Sequence, residues 1–310
     1  MKNKIINIIV IISCLIILIE IFLNKILIFN TISYSLNIWI TSIMPSLFPL
    51  FILSDILINY NITNYIPKAI KKIFTKLFNV SDSIITIFFL SILSGFPSSA
   101  RNIRMMYDKK IITDKEASHA LIFTHFSNPL FILGTISVFF LKNNTLGIII
   151  LISHYIPNII LGITTRKLNK PINNIYNIKY NNLNFSKIMI NAIKNSIDTL
   201  LTILGTLSCF LVISSIIINR INLDPYTGGI LKGILEITMG LNSIANLNIP
   251  NIYKTIITSM LLSFGGLSIH MQVLSFLIDT NISYKKFFIA RIYHSILSGI
   301  LSYILYIIII

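Results

Sequence analysis

The sequence predicts an all-α, polytopic integral membrane protein, arranged as an inverted repeat with two re-entrant helical hairpins. Three observations point there. First, 55% of the 310 residues are hydrophobic, 11% are charged and the mean hydropathy is +0.83. That is more apolar side chain than a soluble domain of this length can bury. Second, apolar runs of about 18 residues or more recur, each long enough to cross a bilayer as a helix. The runs are continuous rather than alternating, which excludes a β-barrel. Third, the halves echo each other. Ile52–Asn59 (ILSDILIN) resembles Val212–Asn219 (VISSIIIN), and Gly95 followed by Ile112-Thr113 resembles Gly265 followed by Ile282-Ser283.

Taken in order, a first helix is expected at 5–23. Its apolar part is too long for a signal peptide and no A-x-A site follows, so it is expected to stay uncleaved. A loop at 24–35 leads to a second helix at 36–59, in which Pro45 and Pro49, four residues apart, are expected to introduce a kink. In Tyr65–Asn79, Lys68, Lys71, Lys72 and Lys76 alternate with Ile70, Ile73, Phe74, Leu77 and Phe78, the pattern of a helix lying on the membrane surface. The apolar run 82–96 is short and ends at Gly95-Phe96-Pro97. A polar helical piece follows at 98–110. Thr113-x-x-Glu116 has the form of a capping box and opens a helix at 114–140, interrupted at His125, Ser127 and Asn128-Pro129. A helix at 145–164 contains Pro157. The basic, Asn-rich loop 165–187 divides the chain. Beyond it come a helix at 189–219, a Gly-rich apolar stretch at 228–245, a short run 253–264 that stops at Gly265-Gly266, and a last helix at 284–310. The domain reading is therefore 1–35, N-terminal helix and loop; 36–164, first repeat; 165–187, cytoplasmic loop; 188–310, second repeat.

Net charge is +15, but Lys and Arg sit in short loops beside apolar segments. That distribution sets topology and meets anionic lipid rather than nucleic acid. With the N-terminus in the cytoplasm and 82–110 entering and leaving on that side, 16 of the 25 Lys and Arg fall in cytoplasmic segments and 7 in external ones. The same assignment makes the second hairpin, placed at Gly265-Gly266, enter from outside. The second helix then runs opposite to its counterpart at 189–219, an arrangement that recurs in transporters with broken helices.

Irregular backbone at membrane depth must be buried in protein or face a watery cavity. The helix-breaking residues Pro45, Pro49, Gly95, Pro97, Gly265 and Gly266 therefore outline a candidate site. Ser98 or Ser99 is placed to cap a new helix whose N-terminus favours anions. Arg101 and Arg104 follow on one face. They either reach the cytoplasmic surface as topology anchors or face a polar cavity, with Asp55 and Asp82 as candidate counter-ions. Asn128 is a candidate polar contact, and so are His270 and Gln272 after the second break. The candidate solute-binding set is Ser98, Ser99, Arg101, Asn128, His270 and Gln272. His154 and His294 are expected to bond neighbours. Cys14 and Cys209 have no partner spacing, so no disulfide or zinc site is expected. No G-x-x-x-x-G-K-[ST], G-x-S-x-G, H-E-x-x-H or C-x-x-C occurs. No metal, no cofactor and no enzymatic activity is expected.

Met44–Phe51 (MPSLFPLF), Ser94–Arg101 (SGFPSSAR), Ser127–Phe131 (SNPLF), Ser153-His-Tyr155, Phe264–Gln272 (FGGLSIHMQ) and Arg291-Ile-Tyr-His294, in this order, resemble the YlbJ family of sporulation integral membrane proteins. The resemblance covers most of the chain. It implies a multi-pass protein of the membrane of a sporulating cell, with a gate region of the kind found in nucleoside transporters, here within the first repeat. In that pattern a Gly-Ala-Lys-like ending is expected after the Gly-x-Pro. Ser99-Ala100-Arg101 keeps the cation but not the second glycine. A transporter-like gate protein for a small polar or anionic, nucleoside-like solute is the first expectation. A non-transporting scaffold or assembly factor of the spore envelope is the second. The expected partners are membrane lipids, a small solute and other spore-membrane proteins or further copies of the chain.

Overall fold

The computed structural model describes residues 2–166, 184–221 and 223–310. The expected cytoplasmic loop 165–187 lies, over 167–183, outside them. Fourteen α-helices are described: α1 Lys2–Leu23, α2 Lys25–Ile38, α3 Met44–Asn59, α4 Lys68–Phe78, α5 Asp82–Ser94, α6 Ser98–Asp108, α7 Asp114–Phe123, α8 Asn144–Thr164, α9 Phe185–Arg220, α10 Pro225–Leu235, α11 Ile237–Ala245, α12 Asn251–Phe264, α13 Gly266–Leu277 and α14 Tyr284–Ile309. Two π-helical segments, Trp39–Ile43 and Phe131–Phe140, and a 3-10 turn, Ile62–Tyr65, complete the set. Among the described residues, six helical stretches are long and apolar enough to cross a membrane: Lys4–Leu23, Lys25–Asn59, Asn144–Thr164, Phe185–Arg220, Asn251–Leu277 and Tyr284–Ile309. The chain is a multi-pass, all-α membrane protein.

The expected loop 24–35 is helix. Only Asn24 interrupts the run from α1 to α2, and the π-turn Trp39–Ile43 carries α2 into α3 as one 35-residue stretch. The π-turn sits just before Pro45 and Pro49. Widening the helix there accommodates the Pro45 ring, which would clash with the Thr41 carbonyl one turn back, whereas Pro49 lies inside α3. The polar residues that looked like a loop instead face α9. Thr31 Oγ1 bonds Ser215 Oγ at 3.2 Å, Ser35 Oγ meets Ser208 Oγ at 2.8 Å, and Trp39 Nε1 donates to the Leu200 carbonyl at 2.9 Å. As one partner number rises the other falls, so α2–α3 and α9 run antiparallel. Hydroxyl pairs of this kind contribute about 0.6 kcal/mol each between helices in lipid, and small side chains allow the axes close together. At one end Arg220 pairs with Glu20 at 2.5 Å. α1 is otherwise exposed along its apolar length, with Ile8 and Ile11 more than half accessible, as a lipid-facing helix should be.

α4 stands at 94° to α5. Phe74 and Phe78 dock on Phe88, while Ile73 and Leu77 stay exposed beside the lysine face. Thr113 caps α7, accepting from the Glu116 amide at 3.3 Å. The Glu116 carboxylate, however, accepts from the Ser81 amide at 2.7 Å. The expected capping box is thus half formed, and its acid ties α7 to the start of α5.

α5 and α6 form a hairpin. The chain enters with Thr86 bonded to Thr63 at 2.7 Å and leaves with Lys109 bonded to Asn59 at 2.7 Å, so both arms end beside the C-terminus of α3. The second hairpin is not at Gly265-Gly266. α12 and α13 continue across that break as a single 27-residue span, Asn251–Leu277. The turn lies earlier, where α10 folds back on α11: Gly229 lies against Ser243 and Ile244, and Gly233 against Gly240. The helix expected at 114–140 is likewise broken, non-helical from Thr124 to Asn128. Each half therefore contains a hairpin and then a broken helix, and α8 and α14, which follow these breaks, pack together.

A Cβ added at Gly240 would lie 2.0 Å from the Gly233 Cα, backbone against backbone. Gly240→Val is therefore expected to force the α10–α11 hairpin open at an overpacking cost of about 1–3 kcal/mol or more. The check is a lowered thermal midpoint and loss of a single size-exclusion peak in detergent. The same change at Gly205, which has open space, serves as control.

Candidate functional site

The two hairpin turns and the two helix breaks meet. Gly95 has φ 73°, and a Cβ there would lie 2.9 Å from the Asn128 amide nitrogen. Only glycine allows both the torsion and the approach. Asn128 fastens the pair. Its Oδ1 accepts from the Phe131 amide at 2.7 Å, starting the π-helix, and its Nδ2 donates to the Ser94 carbonyl at 3.4 Å. In the second half Gly266, φ 69°, lies against the Gly233 carbonyl oxygen and the Ile237 amide. There too a hairpin turn sits on a break.

The backbone groups freed by the first break are bonded by side chains from α8 and α14. Arg291, fully buried, donates to the carbonyls of His125 (3.2 Å) and Ile122 and to Asn158 Oδ1 (2.7 Å). Asn158 in turn donates to the Phe123 carbonyl at 2.8 Å, and Tyr155 to that of Ser127 at 2.9 Å. His154 Nε2 accepts from the Ser127 amide at 2.9 Å, which leaves its Nδ1–H to donate to Ser263 Oγ at 3.0 Å. His294 Nε2 donates to the His154 carbonyl at 2.7 Å, so its Nδ1 accepts from Arg291 at 2.9 Å. These partners give each ring one donor and one acceptor, the neutral form. His154 and His294 thus bond neighbours, as expected from the sequence. At the second break His270 plays the part of Arg291. Its Nε2 donates to the Phe264 carbonyl at 3.1 Å and its Nδ1 accepts from Tyr284 Oη at 3.0 Å.

Between the turns and breaks lies a cavity of about 470 Å³. Gly95, Phe96 and Pro97 line it from the first hairpin, Ser127 and Asn128 from the first break, Glu236 and Thr238 from the second hairpin, and Ser268 and Gln272 from α13. Tyr34, Ser42 and Ser46 add hydroxyls, and Ile203 and Leu207 of α9 close the apolar side. The mixture of apolar walls and a few convergent polar groups is that of a small-molecule site.

Of the six expected solute contacts, the cavity takes Asn128 and Gln272. Ser98, Ser99, Arg101 and His270 lie behind it. Ser98 Oγ accepts from Ser94 at 2.6 Å, Ser99 meets His125 Nδ1 at 3.2 Å, and His270 is turned to its own break. Arg101 is spent on the scaffold. It pairs with Asp55 at 2.6 Å, donates to Thr199 Oγ1 at 3.1 Å and lies over the Phe51 ring, 5.0 Å from its centroid. Of the two expected counter-ions, Asp55 is the partner and Asp82 pairs with Lys71 instead, at 3.2 Å. Arg104 bonds Asp108 and the carbonyls of Phe276 and Ile278. Among the break-formers, Gly95 and Pro97 line the cavity. Gly265 and Gly266 shape α13 beside it, and Pro45 and Pro49 alternate with the lining residues Ser46 and Leu50.

Glu236 was not anticipated. It stands alone between α10 and α11, 2% exposed, accepting from the amides of Thr238 (3.1 Å) and Met239 (2.9 Å). One signal was in view: it is the single acidic residue between Asp224 and Asp279.

Residues 40–144 match the family described as Gate: Nucleoside recognition. That stretch holds α3 to α7, both the first hairpin and the first break. The chain is 28% identical to the Sporulation integral membrane protein YlbJ of Bacillus subtilis (strain 168), over 87% of this chain and 76% of that protein. The resemblance read from the sequence is thus borne out. No solved structure matches the chain.

The Arg101–Asp55 pair generates a stability test. Asp55→Asn leaves a buried guanidinium without its anion, with an expected loss of about 3–5 kcal/mol. The joint replacement Asp55→Leu with Arg101→Met is expected to restore most of that loss. Thermal unfolding of the three variants in one detergent checks both statements.

Proposed function

We propose that this protein is a transporter-like gate protein that admits a small, neutral polar solute of nucleoside type, rather than a catalyst. The observation that carries the reading is the cavity at which two hairpin turns and two helix breaks converge. In membrane transporters, broken helices and repeat interfaces are where solute is held, and rocking of one half against the other exposes it to each side. The matched Gate: Nucleoside recognition stretch supports this, since it contains Gly95, Pro97 and Asn128. The reading includes an inverted repeat: α5–α6 with the broken α7 helix as one unit, α10–α11 with α12–α13 as the other, and the hairpins re-entering from opposite faces. The antiparallel course of α3 and α9 is consistent with it. A cytoplasmic N-terminus follows from the placement of Lys and Arg.

Anions fit the cavity poorly, because its one charged lining residue among those described is the acid Glu236. A neutral solute rich in hydroxyl and amide groups matches the serines, Asn128 and Gln272. The name of the Bacillus subtilis relative suggests that the solute serves endospore formation. A scaffold of the spore envelope is the second reading, favoured by the exposed face of α4, which offers a partner both lysines and apolar side chains.

Full-length protein in liposomes is expected to take up radiolabelled uridine. Asn128→Ala or Gln272→Ala should each reduce uptake about tenfold, the cost of one lost hydrogen bond in a closed site. Uptake of uridine unchanged by both substitutions, in folded protein, removes the cavity from the proposal. Absence of uptake for every nucleoside removes the solute class.

A further inference from the structure

Glu236 is a buried carboxylate with no cation beside it. Its oxygens take two amide donors at the first turn of α11. None of the described ion pairs includes it. The elements packed around it bring little charge. From α2, Tyr34 shares the cavity. On α10, Lys232 is partly exposed one turn earlier. On α12, the Lys254 ammonium is bonded to the Ala245 carbonyl at 2.8 Å. On α13, His270 is committed to Phe264 and Tyr284. The π-helix Phe131–Phe140 carries no ionisable side chain, and the ionisable residues of α9, Lys187, Lys194, Asp198, Cys209 and Arg220, are exposed.

Two opposed terms act on this group. The amides and the helix N-terminus favour the carboxylate. An apolar, dehydrated cavity at membrane depth favours the acid. When the cavity is open to water the first term holds. When it closes, the second grows, and the charge must be cancelled by something that enters. No group of three or more His, Cys, Asp or Glu side chains able to hold a metal ion exists among the described residues. One carboxylate amid hydroxyls and amides is a poor cage for a metal ion but a sufficient acceptor for a proton.

We infer that Glu236 is a proton-carrying site in the cavity: it takes up H⁺ from water on the side to which the cavity opens, closes as the neutral acid and releases the proton on the other side. Solute passage is thereby tied to proton passage. This inference rests on the transporter reading for its role, but the protonation itself is measured without any solute.

The first readout is infrared difference spectroscopy of the purified full-length protein in lipid, stepped between about pH 4 and pH 9. A protonated-carboxyl C=O band that appears on acidification and is missing in E236Q is the expected result. In E236D, which keeps a carboxylate should E236Q fail to fold, the band is expected to persist at a shifted position. A band identical in wild type and a folded E236Q overturns the inference. The second readout is radiolabelled uridine uptake into liposomes with the membrane potential clamped. Wild type is expected to take up several-fold more uridine when the outside is acidic, and uptake by E236Q, at whatever rate, to ignore the gradient. Uptake that follows a sodium gradient, or that responds to acid equally in E236Q, also overturns it. If no uridine moves, the transport reading falls, and the infrared band alone decides the protonation of Glu236.

Discussion

A helix broken inside a bilayer strands amide and carbonyl groups where lipid offers no hydrogen bonds. The satisfaction of those groups is the constraint on which this molecule depends. At the first break a single guanidinium does most of the work: Arg291 reaches two carbonyls, Asn158 and His294 at once. Its charge has no carboxylate partner among the described residues. It is balanced by carbonyl dipoles and the Phe287 ring, 5.4 Å from its centre. At the second break the imidazole of His270 does the smaller task with one carbonyl. These groups come from α8, α13 and α14, behind the cavity, and of the lining residues Asn128 also fastens the first break, through the Ser94 carbonyl and the Phe131 amide.

Two ionic devices stabilise the parts that surround this centre, and they differ in kind. Arg101–Asp55 is fully enclosed and fixes the first hairpin to α3 and α9. Removing one member leaves an isolated charge, so the pair specifies position more than it adds stability. Glu20–Arg220 lies at the rim with its arginine half exposed, and it does no more than hold α1 near the end of α9. Glu236 belongs to neither class. It is as buried as Asp55 but is left without a cation, at the place where the cavity requires polarity.

The sequence made the membrane class, the basic amphipathic helix α4 and the α5–α6 turn legible, because each leaves a local signature: apolar length, lysines at helical spacing, or Gly-x-Pro inside an apolar run. The second hairpin was hidden. Gly265-Gly266 is the loudest break in the second half, yet there the chain only steps and goes on. The turn that reverses direction, at Leu235-Glu236-Ile237, contains no glycine. The glycines that permit it, Gly233 and Gly240, lie within the helices, where they remove side chains from the contact between arms. Residues 24–35 misled for a related reason. Thr31 and Ser35 look like loop residues until another helix supplies their partners. Arg101 drew notice because cations are rare in apolar surroundings, but rarity does not distinguish a ligand from an anchor. Only the position of Asp55, 46 residues away, does that.

The right angle between α4 and α5 sets the two hairpins apart mechanically. α4 grips the first hairpin through Phe74, Phe78 and Phe88, and its outer face carries Lys68, Lys72 and Lys76. Pulling that hairpin deeper would drag ammonium groups into hydrocarbon, at a cost of about 2.5 kcal/mol or more for each. The α10–α11 hairpin has no such outrigger among the described residues. A charged arm is thus fixed to the first hairpin, while the α10–α11 hairpin packs only on other helices of the bundle, α9, α12 and α13 among them.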